Sequence, residues 1–261
     1  EGIKPLYYIE DKNFLSFSSS NQHLASLFNK NELDPLAISL FLVLKYIPAP
    51  MTGFKNIKKL LPGEIRTYTL DGNFIKSTKI KKRNFNLIEH NPENTRSLII
   101  SSVKEHLNSD LKVSSLLSGG LDSSIITYEA KNLLGNIESF TAYQEDPSKD
   151  EDVIHSRILC NKIGVKNNLI KIPDLNYEKI SKPLMQLSEP TADPAFITGY
   201  YLINQIKENN KVLLSGDGAD EIFGGYGMIK KFRNRLYKSN LSHGFTEVIS
   251  NLNKNLLPNI I

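Results

Sequence analysis

The sequence predicts an α/β fold in which a parallel sheet is covered by helices on both faces. From residue 95 onward, short apolar segments of strand length alternate with longer segments that carry helix-capping residues at their ends. Strands that alternate with helices imply a parallel sheet with both faces buried. In such sheets, ligands bind beyond the carboxyl ends of the strands.

The first 85 residues have a different pattern, with strands, turns and one helix. Strands are predicted over residues 3–9, 14–17 and 64–70, and turns over residues 11–13 and 71–73. Asp34 and Pro35 fit the N-cap and the first position of a helix whose apolar run covers residues 36–47.

A polar stretch over residues 84–94 contains a proline and predicts a domain boundary. Beyond it, Gly135 and Gly164 are natural C-caps, and Ser148 with Glu151 predicts a capping box. Helices are predicted over residues 95–107, 122–134, 151–163, 176–187 and 195–208, and strands over 112–117, 137–143, 166–172 and 211–215.

The composition excludes several classes of protein. Hydrophobic residues make up 40% and charged residues 23%, which excludes disorder over most of the length. A net charge of +4 is too balanced to favour nucleic acid as a partner. The longest apolar stretch, residues 38–47, is too short to span a membrane. The single cysteine, Cys160, excludes an intramolecular disulfide and fits a reducing compartment such as the cytoplasm.

The loop that follows the strand at residues 112–117 predicts a phosphate site. Its sequence is SGGLDSS, from Ser118 to Ser124, and the next helix begins within it. Glycines let a ligand approach the backbone, and the helix start directs free N–H groups and positive dipole into the loop. Asp122 makes electrostatic sense there only with a cation between it and the phosphates, so it is a magnesium-ligand candidate.

A second glycine-rich loop, SGDGADEIFGGY over residues 215–226, follows the strand at residues 211–215. Asp220 is the candidate for a second magnesium ligand, because two carboxylates, phosphate oxygens and waters complete an octahedral shell. Either loop alone is also explained as a tight turn or a helix cap. Two such loops, each directly after an apolar strand, favour one nucleotide site.

These motifs resemble a known family. Residues 118–123 are similar to the pyrophosphate loop of ATP pyrophosphatases, and residues 215–226 to the signature of glutamine-hydrolysing asparagine synthetases, much of which β-lactam synthetase shares. Residues 2–8 resemble the closing strand of that family's glutaminase domain, and residues 60–63 resemble its linker hairpin. The resemblance implies an adenine nucleotide alpha-hydrolase-like sheet, preceded by the β-rich tail of an Ntn-type glutaminase domain.

The resemblance also implies a domain division. Residues 1–30 would be the remnant of the glutamine amidotransferase domain, residues 31–92 a linker helix and hairpin, and residues 93–261 a truncated synthetase domain. The family's catalytic cysteine would lie upstream of Glu1, and its C-terminal lysine beyond Ile261. We therefore expect the chain to be a fragment of a longer protein.

The function that the resemblance implies is that of a carbon–nitrogen ligase. Aspartate would attack the α-phosphate of ATP to form β-aspartyl-AMP and pyrophosphate, and ammonia from glutamine would then give asparagine and AMP. ATP and Mg²⁺ would be the cofactors. The implied pyrophosphate contacts are Ser118, Gly119, Gly120, Leu121, Asp122 and Ser123. The implied base and ribose contacts are the backbones of Leu117, Ala142, Ser215 and Gly216, and the implied magnesium ligands are Asp122 and Asp220.

One departure from the family concerns the acceptor. Asp217 stands where many asparagine synthetases have a glutamate that is thought to help remove a proton from the attacking ammonia. Its shorter side chain keeps open the same chemistry on another carboxylate, as in β-lactam formation or amidation of a polysaccharide sugar acid. A non-catalytic nucleotide-binding module is the third alternative, although three carboxylates beside phosphates argue against it. The expected partners are small molecules, and a homodimer is left open.

Other polar residues have structural explanations of similar or greater weight. Cys160 fits a small core position, and the five histidines have no metal-ligand spacing. Glu151 fits a cap as well as a position near ATP. Residues 189–194 fit a plain turn or a loop that reaches the acceptor, and Tyr226 fits the core or the closing of the site.

Overall fold

The structure is a computed structural model that describes residues 2–11, 14–80, 91–206, 212–227 and 231. Most of the domain boundary that we predict over residues 84–94 lies outside the described residues, as do Lys12 and Asn13 of a predicted turn, Glu208 and Lys211. The chain divides into two units. The first contains the described residues up to 80 together with Tyr177–Phe196, and the second contains the others. Our three-part domain division stays a prediction.

The first unit contains a three-stranded antiparallel sheet and a separate hairpin. Strand β1 (Tyr7–Asp11) pairs with β2 (Phe14–Ser18) on one side and with β3 (Lys58–Lys59) on the other. Strands β4 (Glu64–Tyr68) and β5 (Phe74–Lys79) form the hairpin, closed by the predicted turn at residues 71–73. Strand β3 was not predicted, because it is only two residues long.

Two helices accompany these strands. Helix α1 (Asn21–Leu27) was not predicted; it is seven residues long, too short for a clear apolar period, and the hydroxyl of Ser20 caps it. Helix α2 (Pro35–Leu44) begins as predicted, because Asp34 accepts hydrogen bonds from the first free amides. It ends three residues early, since Lys45 adopts a left-handed conformation with φ of 69°.

A half-buried ion pair lies within the first unit. Lys59 of β3 pairs with Glu189, which belongs to the Tyr177–Phe196 segment. Gln22 of α1 also donates to the carbonyl of Leu187 in that segment, at 2.7 Å. The segment is therefore fixed to the strands of the first unit by side chains that are distant in sequence.

The second unit holds most of the predicted alternation of helices and strands. Its elements are α3 (Pro92–His106), β6 (Val113–Leu116), α4 (Leu121–Leu134), β7 (Glu138–Tyr143), α5 (Glu151–Ile163) and β8 (Lys166–Lys171). Helix α6 (Tyr177–Leu184) follows and lies in the first unit. Helix α7 (Ala195–Gln205), β9 (Val212–Leu214) and α8 (Ala219–Phe223) complete the described elements. The short helix α8 was not predicted.

Helix caps set these boundaries. Asn91 accepts the amide hydrogens of Glu93 and Asn94, so α3 begins three residues before the predicted start. The predicted capping box of Ser148 and Glu151 is wrong, although the bounds of α5 are confirmed. Asp150, directly before the first helical residue, is the N-cap, and the Ser148 hydroxyl donates instead to Asp146.

The parallel sheet has the order β8-β7-β6-β9. One buried cluster joins α3, α4 and α5 to one face, with Val103, Ala130 and Cys160 among its members. A second cluster places Leu202 of α7 with Phe140 and Ile172 on the other face. The predicted α/β class, with a parallel sheet and helices on both faces, is confirmed.

In the described part of the chain, none of the helices combines the length and the apolar character that crossing a bilayer requires.

Candidate nucleotide-binding site

The two glycine-rich loops leave the sheet from neighbouring strands. The chain passes from β6 to β7 and β8 in one direction and returns as β9 on the opposite side of β6. The strand order thus reverses between β6 and β9, and crevices at such reversals are where open parallel sheets bind ligands. The first loop follows β6 and the second follows β9, so both predicted motifs lie at this reversal.

Hydrogen bonds inside the first loop hold its shape. The Ser123 hydroxyl accepts the amide hydrogen of Ser118 at 3.2 Å and lies 3.3 Å from the Gly120 carbonyl, to which it donates. The Ser118 hydroxyl accepts the amide hydrogen of Gly120 at 3.3 Å. Ser123 is buried whereas Ser118 is exposed, so Ser118 is the better placed of the two hydroxyls for an incoming anion.

The start of α4 supplies amides for that anion. Gly120 is its N-cap, and no side chain of the described residues forms a capping hydrogen bond there. The first turn of an α-helix has N–H groups without helical partners, together with the positive end of the helix dipole. This is the arrangement that binds phosphate at helix starts. It places the predicted pyrophosphate contacts Gly120, Leu121 and Asp122 on one helix end.

Gly119 occupies a position that other residues would not fit. Its φ is +76°, and a Cβ there would lie 2.8 Å from the carbonyl oxygen of Asp152 and 3.0 Å from the amide nitrogen of Ser156. Both are backbone atoms of α5, which cannot move away as a flexible side chain can. The first loop is therefore packed against the first turns of α5.

Gly216 brings the second loop against the first. A Cβ on Gly216 would lie 2.9 Å from the amide nitrogen of Ser123 and 3.1 Å from Cβ of Asp122. The backbone of the second loop is thus in close contact with the start of α4. Two motifs almost a hundred residues apart in sequence form one continuous surface in the second unit.

The three predicted carboxylates lie on these loops in different environments. Asp122 is half-buried in the first turn of α4. Asp220 is half-buried in α8 and packs closely on Gly225. A Cβ on Gly225 would lie 1.7 Å from Oδ1 of Asp220 and would overlap that carboxylate. Asp217 is exposed and accepts a hydrogen bond from the Ser215 hydroxyl at 2.9 Å.

The donor set fits Mg²⁺ in its chemistry. Asp122 and Asp220 offer oxygen ligands, which Mg²⁺ prefers, and magnesium bound with nucleotides commonly uses one or two carboxylates plus phosphate oxygens and waters. Within the described ranges, no group of three or more His, Cys, Asp or Glu side chains is arranged to hold a metal ion. A metal site here would therefore draw its remaining ligands from the nucleotide and water.

The predicted base and ribose contacts lie at the ends of three strands. Leu117 is buried, and its amide already donates to the carbonyl of Phe140 at 2.9 Å. Its carbonyl accepts the Thr141 hydroxyl at 2.7 Å, so only the second lone pair of that oxygen has capacity for a nucleotide. Ala142 lies near the end of β7 and is half-buried, as are Ser215 and Gly216 after β9.

Asp152 and Asp193 lie outside the two loops, in different surroundings. Burial raises the pKa of Asp152, and the neighbouring carboxylates of Asp150 and Glu151 raise it further. The Asp193 carboxylate accepts the amide hydrogen of Ala195, which fits the turn interpretation.

Tyr226 and Cys160 also have observed surroundings. The Tyr226 hydroxyl donates to Glu221 at 2.6 Å, and this hydrogen bond lowers the pKa of the Glu221 carboxyl. Cys160 is buried in the sheet core, as its helical position suggested.

Four buried hydroxyl residues near the first loop were not predicted from the sequence. Ser115, Thr127, Ser139 and Thr141 are fully buried between the sheet and its helices. For Ser139 and Thr141 the signal was present in the sequence as hydroxyl residues at alternating positions of a predicted buried strand, where apolar residues are usual.

Two family models match the chain. The asparagine synthase model covers residues 94–259, and the glutamine amidotransferase domain model covers residues 1–79. The Tyr177–Phe196 segment of the first unit falls within the range of the asparagine synthase model. The Lys59–Glu189 ion pair therefore joins residues from the two matched ranges.

Curated relatives carry the same family name. The chain is 32% identical to asparagine synthetase [glutamine-hydrolyzing] 1 of Bacillus subtilis, over 98% of this chain and 40% of that protein. It is 28% identical to the putative asparagine synthetase [glutamine-hydrolyzing] 2 of Methanocaldococcus jannaschii, over 86% of this chain and 45% of that protein. The chain thus spans less than half the length of these relatives.

Among solved structures, one similar chain is an NH3-dependent NAD synthetase from Campylobacter jejuni. The TM-score is 0.37 at 19% identity, and the match covers 52% of this chain and 60% of that chain. A likeness this weak supports no argument about function.

Proposed function

The chain belongs to the asparagine synthase family, and from that membership we propose that it carries out the ATP-dependent step of a glutamine-dependent amidation of L-aspartate to L-asparagine. The observation that carries the proposal is the contact between the two glycine-rich, aspartate-bearing loops at the reversal of the sheet. A nucleotide bound there would have amides of a helix start at its phosphates and carboxylates on both sides.

The proposed reaction has two steps. A carboxylate oxygen of aspartate attacks the α-phosphorus of ATP, the bond to the β-phosphate breaks, and pyrophosphate leaves. Ammonia then attacks the acyl carbon of β-aspartyl-AMP, loses a proton, and displaces AMP. Both steps depend chiefly on holding anions together and on stabilising the charge of the leaving group.

The residues of the first loop would bind the leaving group. Ser118, Gly119, Gly120 and Leu121 would contact the pyrophosphate, while the hydroxyls of Ser118 and Ser123 keep the loop in shape. Asp122 and Asp220 would hold Mg²⁺, which neutralises phosphate charge when bound.

The remaining predicted contacts complete the proposed site. The backbones of Leu117, Ala142, Ser215 and Gly216 would contact the base and ribose. The Asp217 carboxylate, which the Ser215 hydroxyl orients, would accept the proton of the attacking ammonia.

Glutamine is the proposed source of ammonia. The match of residues 1–79 to a glutamine amidotransferase domain supports this source. We propose the cytoplasm as the compartment, since a buried free thiol such as Cys160 is compatible with reducing conditions.

The test is pyrophosphate release from MgATP by the full-length protein, with and without L-aspartate, and with ammonium in place of glutamine. Asp122→Asn removes one proposed magnesium ligand and should abolish release. Asp71→Asn, the same change in the exposed hairpin turn of the first unit, is the matched control and should leave release unchanged.

Each outcome decides between the alternatives. Release that requires aspartate and is lost in Asp122→Asn supports the proposal. Release that requires another carboxylate, such as a sugar acid or a β-amino acid precursor of a β-lactam, overturns the aspartate assignment but keeps the adenylating chemistry. Nucleotide binding without release for any of these acceptors identifies a non-catalytic binding module.

A further inference from the structure

Hydroxyl groups form a buried hydrogen-bonded layer beneath the first loop. Ser115, Ser139, Thr141 and Ser156 are each at most 1% exposed, and all lie between the sheet and the helices α4 and α5. Buried polar groups destabilise a fold unless they are hydrogen-bonded. Their partners therefore indicate which parts of the backbone this layer holds in place.

Thr141 fixes the residue at which β6 becomes the loop. Its hydroxyl donates to the carbonyl oxygen of Leu117 at 2.7 Å. The amide of Leu117 donates in turn to the carbonyl of Phe140 at 2.9 Å. Both backbone polar groups of Leu117 are thus held by β7, immediately before Ser118 and the two glycines.

A second set of hydrogen bonds fixes the opposite wall of the loop. The Ser139 hydroxyl lies 3.2 Å from Oδ1 of Asn167, and Nδ2 of Asn167 donates to the Ser156 hydroxyl at 3.0 Å. The Ser156 hydroxyl donates to the carbonyl of Val153 in the first turn of α5. This is the turn against which Gly119 packs, so the loop lies between two walls that the layer holds.

The Thr127 hydroxyl holds the start of α4 by hydrogen bonds in the same way. Its hydroxyl lies 2.8 Å from the carbonyl oxygen of Ser123 and 3.0 Å from the Ser115 hydroxyl on β6. The three structural parts around the loop, namely the end of β6 and the starts of α4 and α5, are therefore each bonded to a buried hydroxyl.

We propose that Thr141 is a positioning residue for the nucleotide, whose buried hydroxyl holds the Leu117 peptide so that the loop amides are aligned before the phosphates bind. This inference rests on the proposed function only in that a nucleotide occupies the loop. An aligned loop binds without being ordered first, whereas a loop that must be ordered on binding has lower affinity. Thr141 itself touches no substrate in this arrangement, because its hydroxyl is enclosed beneath the loop.

The test compares Thr141→Val with a matched variant elsewhere. Thr52 is equally buried, at 1% exposure, and its hydroxyl bonds a main-chain carbonyl, that of Ile57, at 2.8 Å. Thr52→Val therefore removes a hydroxyl from the same kind of hydrogen bond in the first unit, together with the bond that this hydroxyl accepts from the Phe54 amide. Thr141→Ser restores the hydroxyl, and Thr141→Ala is a second variant that avoids any crowding by the valine methyl.

The measurement is the dissociation constant for α,β-methylene-ATP with Mg²⁺, by calorimetry on the full-length protein, beside a thermal unfolding curve of each variant. We expect Thr141→Val or Thr141→Ala to weaken binding roughly fivefold to thirtyfold, the entropic cost of fixing about one residue of backbone that is no longer aligned before the nucleotide binds. Thr52→Val should lower the unfolding temperature to a similar extent without changing the dissociation constant, and Thr141→Ser should bind like wild type.

Other results would overturn the inference. Equal dissociation constants for the Thr141 and Thr52 variants would mean that the Thr141 hydroxyl serves stability alone, as would a failure of serine to restore binding. If the wild-type protein binds no nucleotide, this inference and the proposed function both fail. If it binds nucleotide but releases no pyrophosphate with aspartate, only the proposed function fails.

Discussion

Replacing Gly119 by alanine should destabilise the second unit more than the same change at Gly135. Both glycines have a positive φ, +76° at Gly119 and +73° at Gly135, which residues with a Cβ rarely adopt. A Cβ at Gly135 meets no atom within 4 Å, whereas one at Gly119 meets the Asp152 carbonyl at 2.8 Å and the Ser156 amide at 3.0 Å. The pair of variants therefore separates the effect of packing from that of backbone conformation.

The expected magnitudes follow from these contacts. A sparsely populated backbone conformation with positive φ costs an alanine about 1–3 kcal/mol, and both variants have an effect of this kind. Gly119→Ala must also displace the backbone of α5, and overpacking of this kind typically costs about 1–3 kcal/mol more. With a urea m-value near 3 kcal/mol/M, the additional loss lowers the midpoint of unfolding by roughly 0.3–1 M.

The assay is urea unfolding followed by far-ultraviolet circular dichroism. Gly164→Ala, with φ of +66° and open space around the Cβ position, is a second control that should behave like Gly135→Ala. A midpoint for Gly119→Ala that equals those of both controls would refute the reasoning. It would mean that the first loop does not pack on α5 as described.

Three further predictions concern residues outside the two loops. In a double-mutant cycle of Lys59→Met and Glu189→Gln, we expect a coupling energy of about 1 kcal/mol or more by urea unfolding, because the pair is about four-fifths buried. If the two single variants lose unfolding free energies that simply add in the double variant, this coupling is contradicted. Burial raises the pKa of the Cys160 thiol, so the unfolded chain ionises first as the pH rises above 9.0. The unfolding free energy should therefore fall between pH 9 and 10 in wild type, and fall less in Cys160→Ala. Arg66→Lys should lower the unfolding free energy by about 1–2 kcal/mol, because lysine lacks the planar fork that pairs with Glu10 and stacks on aromatic rings. A loss within experimental error would show that charge alone is sufficient there.

Much of the local structure follows from the residues alone. Asp34 with Pro35 fixes the start of α2, and Gly135 and Gly164 end α4 and α5, because caps and left-handed positions depend on a few adjacent residues. Short elements escaped prediction for the same reason. Helix α1 has only seven residues and β3 only two, too few for a periodic pattern to emerge.

The wrong capping box illustrates a limit within local structure itself. Ser148 and Glu151 have the right spacing, but Asp150 stands nearer to the first helical amides and is an equally good acceptor. The Ser148 hydroxyl then bonds Asp146. When several capping residues are adjacent, spacing cannot choose among them, and backbone geometry does.

The sequence by itself determined the α/β class, the two glycine-rich loops with their carboxylates, and the resemblance that these carry. Only the tertiary structure decided that β9 lies beside β6, so that Gly216 meets Asp122. It alone brought the Thr141 hydroxyl to Leu117. The physical reason is that caps, turns and apolar periods are encoded by neighbours in the chain. The order of parallel strands depends instead on how all the helices bury both faces of the sheet at once.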